Sequence, residues 1–398
     1  MGITTKALVL VKKIFSFEYL FVFLFLCLLP FGQLGRFNIH IGSFTVPFLL
    51  ADAAVGLGAL YSIIFQKKRT MIFKYLMFFL FACLFSFILS YFYFGTKIIY
   101  GSLYLLRISS YFIFVNYVWN YIKGIEKRRR LLVDSLIAVS IISALFGWIQ
   151  MVVLPDLKIL FYIGWDMHLF RLAGTFFDPT FLGLIIVFGL LISINRYFEV
   201  KKKFYIAIIL FLLISLAFTY TRACFLAFLG GLTVLAYVKK KLKVFIGLLV
   251  GLALMLFLLP TSGNLSNKLT RTFSIDARLQ NYKEAENIIE KYPLFGVGYN
   301  NFCVARNIYI GEEEYSSHAC SGSDSSLLLV LGTTGIVGLM VFIGMIIKTR
   351  LFIKKDSYGV LLTAILVSVF THSLFSNSLF YPFTLGYIAI ILATSLKE

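Results

Sequence analysis

Charge is scarce in this sequence. Only 14% of its 398 residues are charged, against 60% hydrophobic and a mean hydropathy of +0.91. Soluble domains carry about 25% charged residues, so a water-soluble globular protein is excluded. Acids are scarcer still, 18 against 37 Lys and Arg. The five cysteines have no Cys-x-x-Cys spacing, which argues against a metal site. Cys27, Cys83 and Cys224 fall in apolar runs and read as small fillers, whereas Cys303 and Cys320 share one polar segment, where pairing and free thiols are both open. No P-loop, His-Glu-x-x-His or Gly-x-Ser-x-Gly is present, which removes ATPase, zinc peptidase and serine hydrolase readings. Gly296-Val-Gly298 lacks the third glycine and the βαβ setting of a dinucleotide fingerprint. No internal repeat is visible.

What is present is apolar length. Twelve runs have the reach of membrane helices: 14–32, 44–65, 71–94, 98–122, 131–154, 175–195, 204–219, 222–238, 244–260, 325–347, 357–376 and 378–395. The segments between them alternate in charge. The two termini and every second connection hold 25 of the 37 basic residues, in clusters such as Lys67-Lys68-Arg69, Arg128-Arg129-Arg130, Lys201-Lys202-Lys203 and Lys239-Lys240-Lys241. The positive-inside rule places that side, and both termini, in the cytoplasm. The basic excess is therefore a topology signal and not a nucleic-acid surface. No small-x-small cleavage site follows the first run, which reads as an uncleaved helix. The expected fold is an all-α polytopic integral membrane protein of about twelve transmembrane helices.

One long polar segment, residues 261–324, separates spans nine and ten on the outer side. Asp276 is placed to cap a helix from Ala277 to Tyr292, stopped by Pro293. Leu279, Tyr282, Ala285, Ile289 and Tyr292 recur on one face at helical spacing, and Lys283, Glu284, Glu286, Glu290 and Lys291 occupy the other. This is an amphipathic helix expected on the membrane surface or over the bundle. Glu312-Glu313-Glu314 and the polar run from Ser316 to Asp324 follow, before re-entry at Ser325.

Four stretches carry a family likeness. They are Arg171-Leu-Ala-Gly174-Thr-Phe-Phe-Asp178-Pro179; Thr221-Arg222-Ala223; Ala277-Arg278 with Tyr292-Pro293-Leu294-Phe295-Gly296-Val297-Gly298-Tyr299-Asn300; and Asp324-Ser325 followed by nine residues and Gly335-Ile-Val-Gly338. Over about 170–345 the chain resembles the bacterial O-antigen ligase/polymerase family of membrane glycosyltransferases. In the ligases a His stands where this chain has Asp324; His318 lies six residues upstream. That departure favours the polymerase branch.

The resemblance implies a GT-C-like membrane fold, a single membrane domain spanning 1–398, and catalysis on the outer face of the cytoplasmic membrane. It implies a polyprenyl-diphosphate-linked glycan donor, a glycan acceptor, contact with membrane lipid, and chain-length regulators and flippases as partner proteins. No cofactor and no metal are expected: the consecutive acids 312–314 cannot converge on one cation. Because the leaving group is a diphosphate, the chemistry needs cations to hold it and a base for the acceptor hydroxyl. Arginine suits the first task through its fork and permanent charge. The resemblance thus assigns catalysis to Arg222, Arg278, His318 and Asp324, and substrate contacts to Arg171, Arg222, Arg278, Tyr299 and Asn300. An arginine at a helix end also snorkels to lipid headgroups, and Asp324 also suits a helix cap. Arg107, in mid-span, demands a partner: a buried acid such as Asp52 or a ligand. His40 and His372 receive no role. The leading function is polymerisation of lipid-linked oligosaccharide repeats; ligation of finished polymer and glycan flipping are the alternatives.

Overall fold

The structure, a computed structural model, describes residues 19–41, 44–163, 165–259, 273–310 and 322–397. Fourteen α-helices and one hairpin are found among the described residues. They are α1 (Leu20–Leu28), β1 (Arg36–Ile41), β2 (Phe44–Leu49), α2 (Leu50–Phe65), α3 (Phe73–Phe94), α4 (Ile99–Ile122), α5 (Glu126–Val153), α6 (Pro179–Val200), α7 (Phe204–Ala217), α8 (Arg222–Lys239), α9 (Leu242–Leu258), α10 (Phe273–Lys291), α11 (Phe302–Ile310), α12 (Ser326–Arg350), α13 (Ser357–Ser373) and α14 (Pro382–Ser395). A helix is found in the described part of each of the twelve expected spans, residues 14–18 and 260 of which lie outside the described residues. Five helical stretches, built on α3, α5, α6, α8 and α12, are long and apolar enough to cross a membrane. The all-helical expectation is corrected at one place. Residues 44–49 do not begin a span but pair antiparallel with 36–41, and Pro47 within them disfavours a helix there.

The core is built around α6. Its residues from Leu182 to Arg196 are buried without interruption, as expected of a helix that is apolar all round. Asp178 caps it, accepting from the Thr180 N–H at 2.6 Å, and Pro179 occupies the first turn, where no amide donor is needed. Helices α5, α7, α8 and α13 surround α6. At its far end Arg196 forks onto Asp134, with contacts of 2.7 and 2.8 Å, and pairs with Glu199 at 3.0 Å. We call this the basic end, and the opposite one, which carries residues 273–310 and 322–325, the loop end.

Arg107 has the acid as its partner. Its guanidinium lies 2.9 Å from Asp52, both nearly buried, and also donates to the Pro47 carbonyl of the hairpin. Tyr111 donates to Asp52 at 3.0 Å and the Leu49 N–H does so at 3.1 Å. A buried charge without such partners costs several kcal/mol, about 3–5 when one member of a pair is removed. Here α2, α4 and the hairpin each supply part of the compensation.

Helix α12 breaks at Gly335, whose φ is 66°. The segment Pro293–Gly298 seats in the break: the amides of Ile336 and Val337 donate to the carbonyls of Pro293 and Leu294 at 2.9 and 3.2 Å, and the Val297 amide donates to Gly332 at 3.0 Å. The Ser86 hydroxyl of α3 lies within donating distance of the Phe295 and Thr333 carbonyls, at 2.5 and 2.7 Å. Irregular backbone between helices survives only where such bonds replace the lost ladder. A Cβ on Gly335 would collide with the Leu294 carbonyl, and one on Gly296 with the Thr333 backbone. The two glycine motifs are thus the halves of one main-chain seam.

The long segment also departs from expectation. Helix α10 starts at Phe273, so Asp276 lies inside its first turn and does not cap it. Its buried face is centred on Ala285 and Ile288, while Leu279 is 53% exposed. A second helix, α11, was not foreseen. Cys303 in α11 is disulfide-bonded, whereas Cys27, Cys83 and Cys224 are free; Cys320, the partner considered from sequence, lies outside the described residues.

Candidate active site

The turn between α7 and α8 is set by Arg171. Its Nε donates to the Thr219 carbonyl and its Nη2 to Thr221 Oγ1, both at 3.0 Å, and Nη2 reaches the Tyr220 carbonyl at 3.5 Å. The neighbouring Leu172 amide bonds the Phe218 carbonyl at 3.0 Å. Tyr220 takes a left-handed φ of 50°, a conformation that a tyrosine holds only when its surroundings impose it. Arg171 is buried and its donors are largely occupied by this turn, whose last step opens α8 at Arg222. Arg171 therefore determines where Arg222 begins.

Behind Arg222, the Cys224 thiol donates to the Thr180 carbonyl at 3.2 Å and lies 3.4 Å from His372 Nε2. The N-termini of α6 and α8 and the C-terminus of α13 meet at this point. Both N-termini present amide dipoles that favour an anion. Asp178 sits beside them, part-exposed.

Helix α10 closes over the same region. Tyr282 donates to the Leu374 carbonyl at 2.6 Å, just past the end of α13. Asn281 Oδ1 accepts from the Asp324 amide at 2.7 Å and from the Ser323 hydroxyl at 3.3 Å, tying α10 to the start of α12. Burial holds the Tyr282 phenol above its ordinary pKa, with Arg278 opposing and Asp324 adding. Both Arg278 and Asp324 thus lie close enough to act on one hydroxyl. Arg278, one turn before Tyr282, also acts on His372. It forms no hydrogen bond or ion pair among the described residues. A cavity of about 470 Å³ adjoins, lined by Tyr282, Glu286, Ile289, Glu290, Leu328 and Leu331.

The structure therefore gathers Arg171, Arg222, Arg278 and Asp324 at the loop end. Ser325, not Asp324, is the residue that precedes α12 as its cap. Tyr299 is packed elsewhere, buried among Cys83, Ile108, Val330 and Phe342, with Phe380 edge-on at 6.3 Å, and Asn300 turns the chain at φ 59°. His318 lies outside the described residues. Asp178, Cys224, Asn281 and His372 were given no role by sequence. Asp178 alone carried a signal, an acid directly before a proline that opens an apolar run.

A multi-pass helical membrane protein with arginines gathered beneath an extramembrane helix is the class that this arrangement defines. Residues 206–343 match the family model described as O-antigen ligase, in accord with the O-antigen ligase/polymerase likeness of the motifs. That span runs from α7 through α8, α10 and the broken α12, and so contains Arg222, Arg278 and the glycine seam. No curated protein matches the chain. The match and the apolar helices together are those of a helical membrane protein similar, over residues 206–343, to the O-antigen ligase family.

Proposed function

We propose that this protein polymerises polyprenyl-diphosphate-linked oligosaccharide repeats into a surface polysaccharide, on the outer face of the cytoplasmic membrane. The observation that supports the reading is the meeting of the N-termini of α6 and α8, where α8 opens at Arg222, with His372 of α13, a histidine on which Arg278 of α10 also acts. The donor's diphosphate binds there, held by two guanidinium forks and two helix dipoles. The acceptor hydroxyl oxygen forms a bond to the anomeric carbon. The bond from that carbon to the phosphate oxygen breaks, and its electron pair leaves with the lipid diphosphate. The acceptor proton passes to Asp324 or His318, the two bases that the family likeness offers. Arginine replaces a metal as the counter-charge, so activity survives EDTA.

A second reading is ligation of finished polymer to another acceptor, favoured by the description of the matching family. Gene deletion separates the two. Loss of a polymerase leaves single repeats without long chains; loss of a ligase accumulates long lipid-linked polymer. Arg222→Ala and Arg278→Ala each reproduce the deletion phenotype with protein still in the membrane. Losing one donor to a developing charge lowers the rate about 100- to 1000-fold. Normal chain lengths in both variants refute the clamp.

A further inference from the structure

His372 is fully buried in the last turn of α13, and its Nδ1 has no hydrogen-bond partner among the described residues. An unused polar atom at such depth is costly and calls for an explanation. The opposite ring nitrogen assigns the tautomer. With the Cys224 thiol donating to the Thr180 carbonyl, the form that satisfies the 3.4 Å contact carries its hydrogen on Nε2, facing the sulfur. Nδ1 then offers only a lone pair, and the partner it requires is a donor.

Arg278 is the donor at hand. Its charge acts on His372, and its five N–H groups have no hydrogen-bond or ion-pair partner among the described residues. The Tyr282 bond to Leu374 pins the next turn of α10 two residues beyond His372. The C-terminal carbonyls of α13 favour a cation in the same place. A base that needs a donor and a donor that needs an acceptor thus stand on two helices that the Tyr282–Leu374 bond pins together.

We propose that His372 is the positioning residue for Arg278: its Nδ1 accepts one guanidinium N–H when a diphosphate enters, and the remaining fork is thereby aimed at the phosphate oxygens. This rests on the diphosphate clamp described above. It gives the site a selectivity for diphosphate over a diffuse anion, because a guanidinium fixed at one edge presents its other N–H groups in a set plane. Glutamine, which keeps a neutral acceptor, preserves part of the effect; leucine abolishes it.

The test uses the full-length protein in lipid nanodiscs, with undecaprenyl diphosphate as the probe and its Kd as the readout. Arg278→Ala and His372→Leu each weaken binding about tenfold or more, as expected for a lost hydrogen bond to a charged group. His372→Gln falls between wild type and His372→Leu, and covers the case in which leucine prevents folding. In the Arg278→Ala background, His372→Leu has no further effect, because its role acts through the arginine. Wild-type affinity in His372→Leu, or the same fold-loss with and without Arg278, overturns the assignment while leaving the clamp standing. Wild-type affinity in Arg278→Ala overturns the clamp itself.

Discussion

Replacing Arg171 by methionine separates two roles that an arginine beside a phosphate site can play. Methionine retains most of the stem and removes the guanidinium. Two acceptors then lose donors at 3.0 Å, the Thr219 carbonyl and Thr221 Oγ1. The losses are unequal. The Thr221 hydroxyl itself donates to the Thr219 carbonyl at 3.1 Å, so that carbonyl retains one partner, and the 3.5 Å contact to Tyr220 contributes little. At about 1.5–3 kcal/mol for a bond to a charged group, one full loss and one partial loss come to ~3 kcal/mol. Denaturant unfolding of the detergent-solubilised protein should show that loss as a lower midpoint with unchanged slope. Polymer formation should fall as well, because a shift of about 1 Å in Arg222 is enough to lower a rate 100-fold. Unchanged unfolding with lost affinity for undecaprenyl diphosphate refutes this reasoning: Arg171 would then be a direct phosphate contact and not the residue that builds the turn.

Arg107→Leu should destabilise the protein by about 3–5 kcal/mol by stranding Asp52, and adding Asp52→Leu should recover most of it in the same unfolding assay; a double variant worse than either single one counts against the pair. Asp178→Ala should lower the unfolding free energy by about 1 kcal/mol through loss of the α6 cap, and Asp178→Asn, which still caps, should retain most of that stability; equal loss in both counts against the cap. For sidedness, an impermeant maleimide should label a cysteine at Glu290 and spare one at Lys240 in a Cys27→Ser background, and the reverse pattern inverts the topology.

The helices were legible because hydropathy over about twenty residues is a strong signal that tertiary contacts rarely overrule. The hairpin was not. Its strands lie inside and beside an apolar run, and the bonds that define it join β1 to β2 across a turn. On α10 Ala285 is buried as expected, but Ile288 is buried in place of the expected Ile289 and Leu279 is exposed, because a short amphipathic face is set by what it lands on. Arg107 was legible as a residue in need of a partner; geometry chose between acid and ligand. The arginines could be read from their motifs, whereas His372 could not, since its setting requires α6, α8 and α13 to converge. The glycine motifs were visible as spacing, and their meaning, a seam of main-chain bonds, was visible only in three dimensions.

That seam carries a consequence for biogenesis. The partners of residues 293–298 are the broken turn of α12 at 332–337 and Ser86 of α3, the first some forty residues downstream and the second two hundred upstream. A ribosome delivers α10 before it delivers α12. The segment that follows α10 therefore has no seat until the next span has been inserted, and the proposed diphosphate clamp is not complete on a partly translocated chain. On that reading, donor binding waits for a completed bundle.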